Sequence, residues 1–290
     1  MHPVIYLNKA MVEATKAGVA PVSSATLYGR GVFTTAAIYG GEPFLWPQHW
    51  QRLEDHAGSL GIDAGGFSER SVGAALRKLI SVNRVREGRA RVILLARNGR
   101  DVWRPKSDSA RKTDLLIMTA DQKEIRESGL TLAVSPYRFN TLSPLAGIKS
   151  LNYLDHVLSR EEAHAREFDE AVRLNERGEI VSATMANLFW VKEGKVYTPT
   201  LSTGALAGVT RAAVIDLAGK HFIPLLEGIY ELADLTEAEE IFLTSASVGV
   251  AIVTTFDFRQ YSVAPENIAT RLRQAFRELR ATRWPSSSLM

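Results

Sequence analysis

The chain has 290 residues, of which 46% are hydrophobic and 23% are charged, and its formal net charge is +3. This composition is typical of a globular protein large enough for two cores, and it excludes a largely disordered chain. The absence of cysteine excludes disulfides and cysteine nucleophiles, and the basic residues are scattered among acidic ones rather than gathered into a nucleic-acid-binding stripe.

The first half of the sequence alternates strand-like and helix-like patterns. Residues 31–39 favour a strand, Gly40-Gly41 a tight turn that tolerates positive φ, and residues 42–46 the returning strand. Pro47 suits the first turn of a helix, where its missing N–H costs nothing. The other elements predicted in this half are a helix over 48–58, a helix capped by Ser68 that runs through Ile80, and strands over 92–96 and 115–119.

A polar, helix-weak stretch over 121–129 indicates a boundary between two domains, residues 1–122 and residues 130–290, joined by residues 123–129. Beyond it, a helix over 151–167 carries apolar residues at helical spacing: Leu154, Val157, Leu158 and Ala163. The other elements predicted here are a strand over 130–136, a loop over 138–147, strands over 170–174, 186–190, 196–198, 241–244 and 250–255, and helices over 210–218 and 265–281. The pattern predicts two mixed α/β domains.

The sequence predicts neither a metal site nor a membrane-spanning segment. The six histidines show no HExxH-like spacing, so no metal site is predicted. No apolar run approaches membrane-spanning length, and the start of the chain lacks a basic segment followed by a long apolar one. We therefore expect a cytoplasmic protein that binds neither membranes nor nucleic acids.

Lys149 is the most informative single residue. It is the lone amine in the mostly apolar run 145–154, Leu-Ala-Gly-Ile-Lys-Ser-Leu-Asn-Tyr-Leu. Desolvation lowers the pKa of a lysine and leaves a neutral amine that can form a Schiff base. Because most lysines are solvated surface charges, this interpretation depends on the rest of the pattern.

Two further features of the sequence favour the binding of an anion. Gly208-Val209-Thr210-Arg211 precedes a predicted helix, whose first N–H groups and positive dipole end attract phosphate. Arg52 lies on a predicted helix beside the apolar Trp50 and Leu53, where a guanidinium could clamp a phosphate through its fork. Each has an ordinary alternative, a turn with a threonine cap for the first and a surface arginine for the second.

The order of these features is more specific than any one of them. Arg52 on an early helix, Lys149 at mid-chain, the strand Asn187-Leu-Phe-Trp190, the step Thr198-Pro199 and the run Gly208-Val-Thr-Arg211 follow one another. In this order the chain resembles the class IV aminotransferases, the fold type IV enzymes that use pyridoxal 5′-phosphate. These comprise branched-chain aminotransferases, D-amino-acid aminotransferases and aminodeoxychorismate lyases.

The resemblance extends from the strand near Gly29 to Val253. It implies a mixed α/β (α+β) fold of two domains, with a smaller N-terminal α/β domain and a larger, C-terminal, cofactor-binding domain that has a β-barrel-like sheet core. It also implies a homodimer that acts on a small-molecule amine substrate.

The resemblance implies roles for individual residues. Lys149 matches the lysine that holds pyridoxal phosphate as a Schiff base and moves the proton. Arg52 and the backbone donors of Val209 and Thr210 match the groups that hold the phosphate, and Tyr153 matches a tyrosine that touches the phenolic oxygen. Further cofactor contacts are implied for Ser182 and Ser247, and substrate contacts for Thr35 and Arg97.

Ser182 departs from the family pattern. Family members usually carry a glutamate five residues before the Asn187 position, where it keeps the pyridine nitrogen protonated. A neutral hydroxyl cannot hold a proton there as a carboxylate does. The change should handicap full transamination most, because that reaction must carry electrons into the cofactor and back. Glu176 and Glu179 are possible substitutes, but their place in a predicted turn argues against them.

Other motifs favour the lyase branch. Phe33-Thr34-Thr35-Ala36 resembles the Phe-Thr-Thr of aminodeoxychorismate lyases rather than the Phe-Glu-Gly typical of branched-chain aminotransferases, and residues 145–149 and 186–190 are similarly lyase-like. Ala246 stands where many aminotransferases have a threonine that reaches the phosphate. No Arg-x-His pair occurs in the sequence near Arg97, which argues against a D-amino-acid aminotransferase.

The predicted function is a pyridoxal-phosphate-dependent lyase that converts 4-amino-4-deoxychorismate into 4-aminobenzoate and pyruvate, a reaction of folate biosynthesis. Two alternatives stay open. One is an aminotransferase that moves an amino group from a branched-chain or D-amino acid to a 2-oxo acid. The other is a degenerate member that binds the cofactor with little turnover because Ser182 replaces the glutamate.

Overall fold

The computed structural model describes residues 1–97, 113–122 and 129–283, with side chains described to residue 281. Contacts divide the chain into unit 1, Met1–Lys123 with Ile148–Tyr153, and unit 2, Glu124–Gly147 with Leu154–Met290. The sequence-based division placed Ile148–Tyr153 in the second domain, whereas this segment packs with unit 1. Most of the predicted connection 123–129, and most of a loop over 97–105 that we expect to affect specificity, lie outside the described residues.

The described part of unit 1 combines an antiparallel sheet with helices. Its elements are β1 (Val4–Leu7), β2 (Ala10–Glu13), α1 (Ser24–Tyr28), β3 (Gly31–Tyr39), β4 (Glu42–Pro43), α2 (Trp46–Ser59), α3 (Glu69–Val82), β5 (Gly88–Ala96) and β6 (Thr113–Asp121). The six strands are ordered β2-β1-β6-β5-β3-β4. One core joins apolar residues of α2 and α3 to those of β3, β5 and β6.

Local signals explain the start of both long helices in unit 1. Leu45 adopts a left-handed conformation with φ of 53°, so α2 begins at Trp46 and the predicted return strand over 42–46 stops at Pro43. Ser68 caps α3 as predicted, and its hydroxyl accepts from Ser71 N at 3.2 Å. The strand predicted over 31–39 is confirmed as β3.

The described part of unit 2 contains a nine-stranded sheet. Its elements are β7 (Leu130–Val134), α4 (Leu154–Ala165), β8 (Glu170–Leu174), β9 (Ile180–Ala183), β10 (Asn187–Lys192), β11 (Lys195–Pro199), α5 (Val209–Lys220), β12 (Leu225–Gly228), α6 (Leu232–Thr236), β13 (Glu240–Ser245), β14 (Gly249–Phe256), β15 (Arg259–Gln260) and α7 (Ile268–Arg283). The main path runs β12-β11-β10-β13-β14-β7-β8-β9. Because β9 at one end contacts β10 and β11 near the other, the sheet curls, which agrees with the predicted barrel-like core.

The predicted helix over 151–167 is wrong in its first turn. Leu151 N donates to Gly31 O at 2.9 Å, and Asn152 Nδ2 donates to Gly29 O at 3.0 Å. These bonds hold the chain extended against the start of β3, so α4 begins only at Leu154. Tyr153 therefore lies before the helix rather than on it.

The apolar face predicted for α4 is also partly wrong. Leu154 is 67% exposed and Leu158 is 46% exposed. The fully buried positions of α4 are the small residues Ser159 and Ala163, at 0% exposure. Small side chains allow the helix to approach β7 and β8, which it contacts, and the leucines are left on the outer side.

Candidate functional site

The backbone of Lys149 is held from two directions within unit 1. Phe33 N donates to Lys149 O at 3.0 Å, which extends the pairing with β3. Lys149 N donates to Nδ1 of His56, on α2, at 3.0 Å. A side chain on a backbone fixed this way has few positions to sample, as a reacting group requires.

Two aromatic rings surround the Lys149 amine. Nζ lies 4.6 Å from the centroid of Phe33 and 4.7 Å from that of Tyr153, and the two rings meet edge to face at 5.2 Å. Nζ also donates to the Tyr153 hydroxyl at 3.2 Å. The amine therefore has one polar partner and two apolar walls that remove water from it.

This environment changes the charge of the amine. Burial, acting together with the positive charges of Arg52 and Arg91, lowers the pKa of Lys149 to about 7. Near neutral pH the neutral and charged forms are then present in comparable amounts, whereas an ordinary lysine is almost wholly charged. The neutral fraction is the nucleophile and base that the sequence predicted.

Arg52 lies on α2 with its charge retained. Its Nη2 donates to Thr34 Oγ1 at 2.9 Å, and the same hydroxyl lies 2.8 Å from His49 Nδ1. Burial lowers the pKa of Arg52 only to about 10, lowers that of His56 to about 4 and lowers that of His49 well below its usual value. Both histidines are thus neutral at pH 7, and Arg52 is the cation beside them that can bind an anion.

Sequence reasoning missed Arg91. This residue lies directly opposite Thr35 in the β3–β5 ladder, and its guanidinium carbon is 4.5 Å from the Phe33 centroid. Burial lowers its pKa as well. Two-residue alternation along β5 was the available signal, but nothing in the sequence reveals which residue of β3 faces it.

We expect Arg91→Gln to raise the pKa of Lys149, because it removes one of the two positive charges that lower it. The rate of covalent attachment of pyridoxal, trapped with borohydride at a series of pH values, reports the neutral amine. Its midpoint should move upward from about 7. Arg89→Gln on the same strand is the control and should leave the midpoint in place; an unchanged midpoint in Arg91→Gln would contradict this account of the electrostatics.

In unit 2, the start of α5 has the features of an anion site. Its N-cap residue, Gly208, offers no side chain to accept from the first turn. A Cβ on Gly208 would lie 2.1 Å from Asn187 Oδ1, and the Asn187 amide donates to Leu206 O at 2.9 Å. Asn187 thus holds the loop before the helix close to its own strand, and the N–H groups of Val209 and Thr210 begin the helix.

Ser182 lies in β9, buried to 9% exposure. Its hydroxyl donates to Ala183 O at 2.8 Å. The carboxylates considered as substitutes have other partners: Glu176 accepts from Thr141, and Glu179 accepts from Arg177 and Asn175. Hydrogen bonds from those two partners lower the pKa of Glu179 to about 2. These glutamates are therefore part of a surface ion-pair network.

The remaining predicted residues have simpler surroundings. Thr35 is partly buried on β3. Arg97 Nη1 lies 3.6 Å from Asp114 Oδ1, in an ion pair within unit 1. Ser247 occupies the turn between β13 and β14. Their contacts with substrate or cofactor stay predictions.

Within the described ranges, no cluster of three or more His, Asp or Glu side chains could hold a metal ion. No helix in the same part of the chain is both long enough and apolar enough to span a membrane.

Comparisons with known proteins agree with this chemistry. Residues 31–256 match the family described as amino-transferase class IV. The chain is 32% identical over 284 residues to a Methanocaldococcus jannaschii protein provisionally assigned as a branched-chain-amino-acid aminotransferase, with 97% of each chain covered. It is 30% identical over 262 residues to the aminodeoxychorismate lyase of Bacillus subtilis, covering 89% of this chain and 88% of that protein.

The fold gives the same result. A branched-chain amino acid aminotransferase from T.th., solved with pyridoxamine 5′-phosphate, superposes with a TM-score of 0.87 at 25% identity, covering 98% of this chain and 96% of that one. The two-domain fold type IV prediction is confirmed, and so is pyridoxal phosphate as the cofactor. The chain belongs to the class IV aminotransferase family of pyridoxal-phosphate-dependent enzymes.

Proposed function

We propose that this enzyme is a lyase that converts 4-amino-4-deoxychorismate into 4-aminobenzoate and pyruvate. The observation that carries the proposal is the surroundings of Ser182. Its own hydroxyl is bonded to a backbone carbonyl, and the neighbouring glutamates 176 and 179 are held by other partners. If neither of these glutamates protonates the pyridine nitrogen, an elimination driven by aromatisation is favoured over a full transamination.

The described residues fit the cofactor. The amine of Lys149 is partly neutral near pH 7 and can condense with the aldehyde of the cofactor. Arg52 supplies a buried cation, and Gly208 supplies a helix start without a side-chain cap, the two groups expected to bind its phosphate. When bound, the cofactor supplies an electron-withdrawing ring that acidifies the carbon bearing the substrate amine.

The residues around Lys149 account for the proton transfers. Its neutral Nζ takes the proton from the carbon that bears the amine, and the hydroxyl of Tyr153 orients Nζ for this step. Breaking the bond between the substrate ring and its enolpyruvyl oxygen would make that ring aromatic, and Nζ would return the proton to the methylene carbon of the departing enolpyruvate, which becomes pyruvate. Phe33 and Tyr153 keep water away from the amine during these steps.

We infer that Arg91 and Thr35 recognise the substrate. They lie side by side on β5 and β3, and Arg91 rests on the same Phe33 ring as the Lys149 amine. A guanidinium at this place can pair with a substrate carboxylate. A substrate carboxylate could be bound in this way by either a lyase or an aminotransferase.

An aminotransferase is the second candidate. The relative that carries a branched-chain aminotransferase name matches over a longer stretch than the lyase relative does. Lys149 and Arg52 would serve that reaction equally. The surroundings of Ser182 are the feature that separates the two candidates.

One set of assays distinguishes the candidates. Purified enzyme loaded with pyridoxal phosphate should form 4-aminobenzoate and pyruvate from 4-amino-4-deoxychorismate with no oxo acid present. Product formed only when an amino donor and a 2-oxo acid are supplied would establish the aminotransferase instead. Inactivity in both assays, with cofactor attached to Lys149, would favour the degenerate member.

A homodimer stays a prediction. The exposed Leu154 and Leu158 of α4 are apolar positions that a second copy could cover.

A further inference from the structure

Arg173 is a buried arginine on β8 that the function described so far does not use. Its side chain is 1% exposed. Its Nη2 donates to Asp155 Oδ2 at 2.9 Å, and its guanidinium carbon lies 5.6 Å from the centroid of Phe139. Arginine is rarely buried this completely without full pairing, since taking its charge out of water is costly.

The pairing of Arg173 is incomplete. Both Nε and Nη1 are buried and have no hydrogen-bond partner in the part of the chain that the structure describes. Asp155, the carboxylate with which it forms an ion pair, is itself 54% exposed. Two buried donor nitrogens of the guanidinium therefore lack an acceptor among the described residues, and an unmade hydrogen bond of this kind destabilises the protein unless a ligand makes it.

Arg173 shares a face of the sheet with Ser182. Arg173 is directly opposite Ser182 in the β8–β9 ladder. Opposite residues in a ladder point to the same face, with Cβ atoms about 5 Å apart. Ser182 occupies the position that the resemblance assigns to the pyridine nitrogen, and its own proton is used by Ala183 O. On this face of the sheet, Nε and Nη1 of Arg173 are available as donors, whereas the Ser182 hydroxyl already donates to a backbone carbonyl.

We propose that Arg173 donates a hydrogen bond to the pyridine nitrogen of the cofactor, in place of the carboxylate that the family resemblance implies at the position of Ser182. The replacement puts a positive group beside the nitrogen where the family pattern has a negative one. A carboxylate keeps the nitrogen protonated, whereas a guanidinium does not give up its proton and can donate a hydrogen bond only to an unprotonated nitrogen. The inference depends on the cofactor and not on the choice between lyase and aminotransferase.

The two residues therefore act as a pair. Glutamate opposite Arg173 would form an ion pair with it and would not reach the nitrogen freely. Serine removes that competition and leaves room for the guanidinium. Ser182→Glu alone should consequently fail to restore a protonated nitrogen, and Arg173→Leu with Ser182→Glu should restore it.

The first test reads the protonation state directly. Wild-type protein is loaded with pyridoxal phosphate labelled with ¹⁵N in the ring, and its ¹⁵N NMR shift is measured. We expect the shift of an unprotonated, hydrogen-bonded nitrogen in the wild type and of a pyridinium in the Arg173→Leu/Ser182→Glu variant. A pyridinium shift in the wild type overturns the proposal.

The second test measures affinity and does not need a folded variant to be informative. The 1-deaza analogue of pyridoxal phosphate has carbon in place of the ring nitrogen and cannot accept this hydrogen bond. Wild-type protein should bind pyridoxal phosphate about 10- to 100-fold more tightly than the analogue, which is the change in affinity expected for one hydrogen bond to a charged group. Equal affinities overturn the proposal. If no cofactor attaches to Lys149 at all, the proposal fails together with the cofactor assignment, which sets that outcome apart from equal affinities.

The variants give a matched comparison. Arg173→Leu should abolish the preference for the ring nitrogen, and it leaves Asp155 exposed enough to stay solvated. Arg177→Leu removes an arginine whose side chain is 46% exposed, in the turn that follows β8, and should keep the preference. A preference that survives in Arg173→Leu would contradict the assignment, since a purely structural role for Arg173 predicts that result.

Discussion

Replacing Lys149 with methionine should abolish covalent attachment of pyridoxal phosphate and lower kcat by about 100- to 10,000-fold or more, the range that a positioned general base contributes. Methionine keeps the approximate length of the side chain and its packing between Phe33 and Tyr153. Borohydride reduction followed by mass spectrometry locates the cofactor. Lys220→Met, at the exposed end of α5, is the control and should change neither measurement.

The same variant should change stability in a pH-dependent way. The folded protein lowers the pKa of Lys149 from 10.5 to about 7, so the unfolded chain holds more protons between these values. Stability of the cofactor-free wild type therefore rises as pH increases from about 7 to about 10.5. Methionine carries no charge, so the variant should be more stable than the wild type near about pH 6, and the difference should shrink above about pH 10. Urea unfolding at both pH values tests this, and a difference independent of pH would contradict the burial of the amine.

Gly208→Ala should have the second largest effect. The new Cβ would fall 2.1 Å from Asn187 Oδ1, so either the amide that holds Leu206 O or the start of α5 must shift. We expect a destabilisation of about 1–3 kcal/mol, as for other overpacked sites, and weaker binding of the cofactor phosphate.

Gly219 on the same helix provides the matched control. Its surroundings leave nothing within 4 Å of an added Cβ, and alanine is the better helix former by up to about 1 kcal/mol. Gly219→Ala should therefore be neutral or stabilising, with unchanged cofactor affinity. Cofactor titration and thermal unfolding of both variants test the difference. If Gly208→Ala bound the cofactor normally, the helix start would not be its phosphate site.

The success of the sequence predictions depended on how local each signal was. The strand over 31–39 and the Ser68 cap were confirmed because alternation and capping involve neighbouring residues. The first turn of the helix predicted at 151 was wrong because Gly29 and Gly31, more than a hundred residues earlier, hold Leu151 and Asn152 extended. No local propensity carries that information.

Exposure was hard to predict for the same reason. Leu154 and Leu158 have helical spacing and suggested a buried face, but the side of α4 that is fully buried carries Ser159 and Ala163. Periodicity shows which residues share a face and not what that face contacts.

By itself the sequence determined the family, the reacting amine at Lys149, the phosphate-binding candidates Arg52 and Thr210, and the absence of a glutamate at Ser182. Only the tertiary structure decided that Lys149 has a pKa of about 7, that Arg91 contributes to it, and that Arg173 lies opposite Ser182. Motifs are properties of contiguous residues. Desolvation, charge proximity and strand register arise from residues distant in sequence, so they become visible only when the chain is folded.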